Sequence, residues 1–155
     1  MKHFFYFLLF LSVYCCSCKK DSQSCAVAVT VPDAEINALQ DYISKNNIPA
    51  ERDSRGFYYR VEEAGTSQRP SSCSNITVGY VGKLIDGTIF DQNPNATFAL
   101  NGLIKGWQEG LPLIGEGGKI TLYLPPSLGY GTNGSVNIPP NSITIFSVTL
   151  YKVNK

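Results

Sequence analysis

Two short runs of alternating side chains constrain this chain more than any other feature. Ile76, Val78 and Tyr80 fall on one side of a stretch spanning 76–84, and Ile120, Leu122 and Leu124 do so across 119–124. A period of two places alternate residues on one face of a strand and cannot form the apolar stripe of a helix. Asp86-Gly87 after the first run is a tight turn into residues 88–91, which predicts a hairpin. Further strands are expected over 57–62 and 142–153, a short extended piece over 97–100, a Pro/Asn loop over 92–96, and a long Gly/Asn/Pro loop over 125–140. Helical spacing occurs twice. Over 33–48, Ile36, Leu39 and Ile43 share a face, with Pro32 ahead, Asp33 and Glu35 in the first turn, and Asn46, Asn47 and Pro49 at the end. Over 103–111, Ile104, Trp107 and Leu111 share a face and Pro112 closes the run. The class is α+β with an antiparallel sheet. The first helix reads as a packing or dimerising appendage without chemistry.

Composition narrows the function. The 155 residues, 43% of them hydrophobic, suit one globular domain. The 13 Lys and Arg nearly cancel the 12 Asp and Glu, leaving no basic footprint, so nucleic acid is not expected as a partner. The single histidine, His3, lies in a segment expected to be removed. A mature chain without histidine has no Ser-His-Asp or Cys-His catalysis and no His-ligated metal site, and no metal or cofactor is expected. Gly115-Glu116-Gly117-Gly118-Lys119 superficially resembles a phosphate loop. Leu113 and Ile120 stand where that motif requires glycine and Ser or Thr, so a turn before a strand is the better reading. Asp86 before glycine is a turn residue, which weakens any pairing with Asp91 as glycosidase carboxylates.

The N-terminus reads as an address. Lys2 and His3 precede an apolar run over 4–11 that is too short to span a bilayer, followed by Cys15-Cys16-Ser17-Cys18-Lys19-Lys20. The pattern resembles a bacterial lipoprotein signal. Residues 1–17 are the expected signal, Cys18 the acylated residue, 18–31 a tether, 32–50 the N-terminal helix and 51–155 the main domain. Acylation at Cys16 and plain secretion stand as alternatives. Cleavage before Cys18 leaves Cys25 and Cys73, which either form a disulfide in an oxidising compartment or remain separate thiols.

Three segments carry a family resemblance. They are Val78-Gly79-Tyr80-Val81-Gly82 with Asp86-Gly87-Thr88-Ile89-Phe90-Asp91, then Gly102-Leu103-Ile104-Lys105-Gly106-Trp107-Gln108-Glu109-Gly110, and finally Gly129-Tyr130-Gly131 with Ile138-Pro139-Pro140. With the strand Ile145-Phe146-Ser147-Val148, residues 57–153 resemble the FKBP-type peptidyl-prolyl cis-trans isomerases, in a bacterial lipoprotein form. The resemblance implies a curved antiparallel sheet wrapped around one short helix, here with an extra N-terminal helix. It implies a pocket lined by Tyr80, Phe90, Asp91, Leu103, Ile104, Trp107, Tyr130, Ile138 and Phe146, with Trp107 as the floor. The Ile104 N–H and the Tyr130 hydroxyl would donate to the substrate carbonyl, and Asp91 would orient or polarise. Taken singly, Trp107 and Phe146 also read as ordinary core, and Asp91 as a strand end.

The implied activity is rotation of X-Pro bonds in exported or envelope proteins at a lipid-anchored, periplasm-facing site on the outer membrane. Pro-containing polypeptides are the implied partners, and macrolides such as tacrolimus or rapamycin the implied ligands. The rival reading is a catalytically weak chaperone or assembly module. Ala96, where many members carry an aromatic, bears on substrate preference and macrolide affinity.

Overall fold

A computed structural model describes residues 29–154. Helix α1 (Asp33–Lys45) comes first, followed by strands β1 (Glu51–Arg52), β2 (Tyr58–Glu63), β3 (Asn75–Leu84) and β4 (Ile89–Ala99). Helix α2 (Lys105–Gly110) precedes β5 (Lys119–Leu124) and β6 (Thr144–Asn154). The strands form one antiparallel sheet in the order β1-β2-β5-β6-β3-β4. Among the described residues no helix is long and apolar enough to cross a membrane.

Each face of the sheet holds its own core. Ile76, Val78, Ile120, Leu122, Leu124, Phe146, Val148 and Leu150 alternate toward α2, where Trp107 and Leu111 meet them. The intervening Tyr123 and Ile145, with Tyr58, pack against Leu39 and Ile43 of α1. β5 is therefore apolar on both sides, and all its residues after Lys119 are buried. α2 nests closely because Gly106 and Gly110 lie against Leu124 and Leu122, where any Cβ would collide. Val31, inside the stretch read as tether, is buried against Gly56.

Several boundaries differ from the sequence reading. β4 is one strand through 92–96 rather than a strand, a loop and a short extended piece. It pairs with β3 alone and so forms a sheet edge, where proline is tolerated because its missing N–H faces no ladder. Pro94 and Asn95 sit where the register shifts from Asn93 opposite Tyr80 to Ala96 opposite Val78, and a second shift falls at Phe90. α2 starts at Lys105 rather than 103, because Leu100–Gly102 form a 3-10 turn and Ile104 is extended as the N-cap. α1 ends at Lys45 rather than 48, and Asn47 adopts a left-handed φ of 49° that turns the chain toward Pro49. The two-residue β1 was not expected. Gly117, at φ 79°, makes the turn into β5 at the phosphate-loop look-alike.

Candidate active site

Trp107 lies at the centre of a ring cluster on the α2 side of the sheet. It is 4% exposed. Tyr80 and Phe146 meet it edge-on, with centroids at 5.2 and 5.4 Å, and Phe98 does so at 6.4 Å. Phe90 stands edge-on to Phe146 at 5.5 Å and to Tyr130 at 6.0 Å. Edge-to-face contacts of this kind hold aromatic walls at fixed angles beyond what apolar burial alone would do. Gly82 makes room for two of the walls: a Cβ there would come within 2.7 Å of the Phe90 ring and 2.9 Å of Phe146.

Two adjoining hollows result. One of about 160 Å³ is lined by Tyr80, Asp91, Phe98, Leu103, Ile104, Trp107, Tyr130 and Phe146. The other, about 260 Å³, is lined by Phe90, Asp91, Tyr130 and the 135–138 loop with Ile138. All nine residues expected at the pocket thus fall on one connected surface, but Phe90 and Ile138 border the outer hollow rather than the inner one. Phe90 and Asp91 share this surface because of a β-bulge. Consecutive strand residues ordinarily point to opposite faces, and the register shift at Phe90 removes that alternation.

The polar groups are few. The Tyr80 hydroxyl donates to Asp91 Oδ2 at 2.7 Å. Burial, and then that hydrogen bond to a carboxylate, push the Tyr80 hydroxyl up to about 12. Burial also raises Tyr130, with the Asp91 charge adding to it. The Tyr130 hydroxyl and the Ile104 N–H donate to no other described group. Trp107 Nε1 is likewise buried without a partner.

Gln108 fixes the Ile104 amide. Its side chain is buried and donates Nε2 to Leu103 O at 2.7 Å and to Asn101 O at 3.2 Å, while its Oε1 accepts from Lys105 Nζ at 3.2 Å. Leu103 C=O and Ile104 N–H belong to one planar trans peptide, so they point in opposite directions. Holding the carbonyl toward α2 turns the N–H the other way, on a residue that lines the inner hollow.

Sequence reasoning missed Gln108 and Phe98 as parts of this site. Phe98 is hidden by the bulge at Pro94 and Asn95: an unshifted hairpin would set Thr97 opposite Ile76, and only the register shift brings Phe98 there. Cys73 is disulfide-bonded. Cys18 and Cys25 lie outside the described residues. No cluster of three or more potential metal-ligating side chains occurs among the described residues.

A sequence model of the FKBP-type peptidyl-prolyl cis-trans isomerase family matches residues 66–151. The FKBP-type peptidyl-prolyl cis-trans isomerase FkpA of Escherichia coli K12 is 45% identical over 104 residues, covering 64% of this chain and 38% of that protein. The peptidyl-prolyl cis-trans isomerase Mip of Coxiella burnetii is 40% identical over 117 residues, covering 72% and 51%. The chain thus spans about half or less of the length of these relatives. Among solved structures, FkpA from Escherichia coli superimposes with a TM-score of 0.71 at 38% identity, over 79% of this chain and 60% of that one. A peptidyl-prolyl cis-trans isomerase from Pseudomonas syringae gives 0.70 at 28% identity, over 82% and 99%.

Proposed function

Because this chain belongs to the FKBP-type peptidyl-prolyl cis-trans isomerase family, we propose that it accelerates rotation of X-Pro bonds in polypeptides of the bacterial envelope. The observation that carries the reading is a largely aromatic pocket whose donors are unspent. Trp107 forms the floor, Tyr80, Phe98 and Phe146 stand around it, and the Ile104 N–H and Tyr130 hydroxyl have no other described partner.

The chemistry needs no nucleophile. Twisting an amide destroys its resonance and faces a barrier of about 18–20 kcal/mol. X-Pro bonds populate both isomers but exchange over tens of seconds or longer. A catalyst need only bind the twisted amide better than either planar form. The twisted carbonyl has lost charge separation, so an apolar pocket desolvates it at lower cost than the planar amide. The prolyl ring would rest on Trp107, and the Ile104 N–H and Tyr130 hydroxyl would hold carbonyl oxygens of the bound segment. Asp91, as acceptor from Tyr80, fixes that wall of the pocket.

The finer reading is of an envelope protein held by a lipid on Cys18 after removal of residues 1–17, facing the periplasm from the outer membrane. In that compartment Cys73 would pair with Cys25, and macrolides such as tacrolimus or rapamycin would compete for the aromatic pocket. The test follows cis-to-trans exchange of a short X-Leu-Pro-Phe peptide with and without tacrolimus. Acceleration that the macrolide blocks is the expected result. No acceleration by the folded protein would overturn the enzymatic reading in favour of a binding module.

A further inference from the structure

We infer that Glu35, on the N-terminal helix, is a positioning residue for Tyr130, so that α1 forms part of the active-site architecture rather than an appendage to it. The two residues are joined through a single peptide plane. Tyr130 follows the 3-10 turn Pro126–Leu128. Pro125 and Pro126 lack an N–H, so Ser127 carries the first amide of this turn, and a first-turn amide has no acceptor within its own helix. Glu35 supplies one from 92 residues away: one carboxylate oxygen accepts the Ser127 N–H at 2.8 Å and the other accepts the Ser127 hydroxyl at 2.7 Å.

The other side of the same peptide unit is the Pro126 carbonyl, which points opposite to the Ser127 N–H. It accepts the amides of Gly129 at 2.9 Å and Gly131 at 2.8 Å, the two neighbours of Tyr130. Rotation of this plane would therefore move the backbone on both sides of Tyr130. Glu35 is held in turn by its helix, which Leu39 and Ile43 bury against the sheet. α1 lies wholly before residues 66–151, the stretch that matches the family. The inference rests on the reading of Tyr130 as a donor to substrate, and its test has one arm that does not.

The first arm compares Glu35→Ala, Tyr130→Phe and the double variant in the full-length protein. Glu35→Ala is expected to lower kcat/KM roughly fivefold, the scale of one misplaced hydrogen bond, and to lower kcat with it because the contact acts at the transition state. In the Tyr130→Phe background the same change should cost nothing further. Independent, multiplying losses would overturn the inference, as would a Glu35→Ala enzyme of unchanged kcat. The second arm reads amide hydrogen exchange. Leu128, Gly129 and Gly131 should exchange faster in Glu35→Ala while the Ile120–Leu124 amides keep their protection; unchanged exchange at the turn overturns the inference whether or not the protein is an isomerase. Ser127→Ala, which keeps the backbone bond, should give the same changes at smaller size if Glu35→Ala folds poorly.

Discussion

Replacing Gln108 by methionine should separate the support of a donor from the support of the fold. Methionine keeps the length and most of the volume of glutamine but donates nothing. Three bonds are lost: those donated to Leu103 O at 2.7 Å and to Asn101 O at 3.2 Å, and the one accepted from Lys105 Nζ at 3.2 Å. Each neutral bond is worth about 1 kcal/mol net, and the exposed Asn101 carbonyl and the half-exposed Lys105 ammonium regain water; a loss of roughly 1–2 kcal/mol and a fall in Tm of about 3–8 °C follow. Catalysis should suffer separately. With Leu103 O released, the peptide plane that presents the Ile104 N–H can rotate, and losing one neutral hydrogen bond in the transition state corresponds to roughly fivefold in kcat/KM. Exchange of the X-Leu-Pro-Phe peptide measured at 10 °C, well below the lowered Tm, reads the second effect without the first. A variant that loses stability as expected but keeps kcat/KM within twofold of the parent would refute the argument that Gln108 aims the Ile104 amide.

Trp107 is the chain's one tryptophan, so saturating Pro-containing peptide should change its emission; an unchanged spectrum would remove it from the binding floor. The described residues contain no histidine, and both pocket hydroxyls titrate above their ordinary value of 10, so kcat/KM should stay level from about pH 7 to pH 9. A step in that interval would mean that another group takes part. At higher pH the sign is fixed: Tyr80 holds its proton more tightly in the folded state, so its contribution is whole below pH 10 and is lost as pH rises toward about 12. The wild type should therefore lose about 1 kcal/mol more than Tyr80→Phe across that window, a figure already reduced for the solvent exposure of the ring; equal losses in denaturant titrations would contradict it. Cys18→Ala should release the protein from membranes, and continued attachment would refute acylation at that residue.

The parts of this architecture that were legible in the sequence are those encoded locally. Alternation at Ile120, Leu122 and Leu124 locates β5 to the residue, because only an extended chain sets all three toward α2 and Tyr123 toward α1. The run from Leu103 to Trp107 is contiguous, so it announces the inner hollow directly. β4 was less legible because its chemistry and its geometry disagree. Pro94 and Asn95 have the composition of a loop, yet an edge strand absorbs them in a bulge. That bulge brings Phe98 to the side of Asp91, and the second shift brings Phe90 there, so the reading failed in the strand whose distortions build the pocket.

The polar supports were illegible for a different reason. Gln108 within a short helix and Glu35 in a first helical turn both have surface-like local sequence. Their roles come from the far side of a peptide plane. Gln108 holds the Leu103 carbonyl and thereby turns the Ile104 N–H; Glu35 holds the Ser127 N–H and thereby sets the Pro126 carbonyl that accepts the amides on either side of Tyr130. Neither supporting side chain has to reach the substrate, and one comes from an element outside the family-matched residues. A twisted amide develops little charge, so a single strong donor would gain little, and what matters is that two modest donors are held still at a fixed separation. Rigid peptide planes pinned from behind meet that demand, and they leave the lining of the inner hollow mostly aromatic, with Asp91 as its one charged side chain.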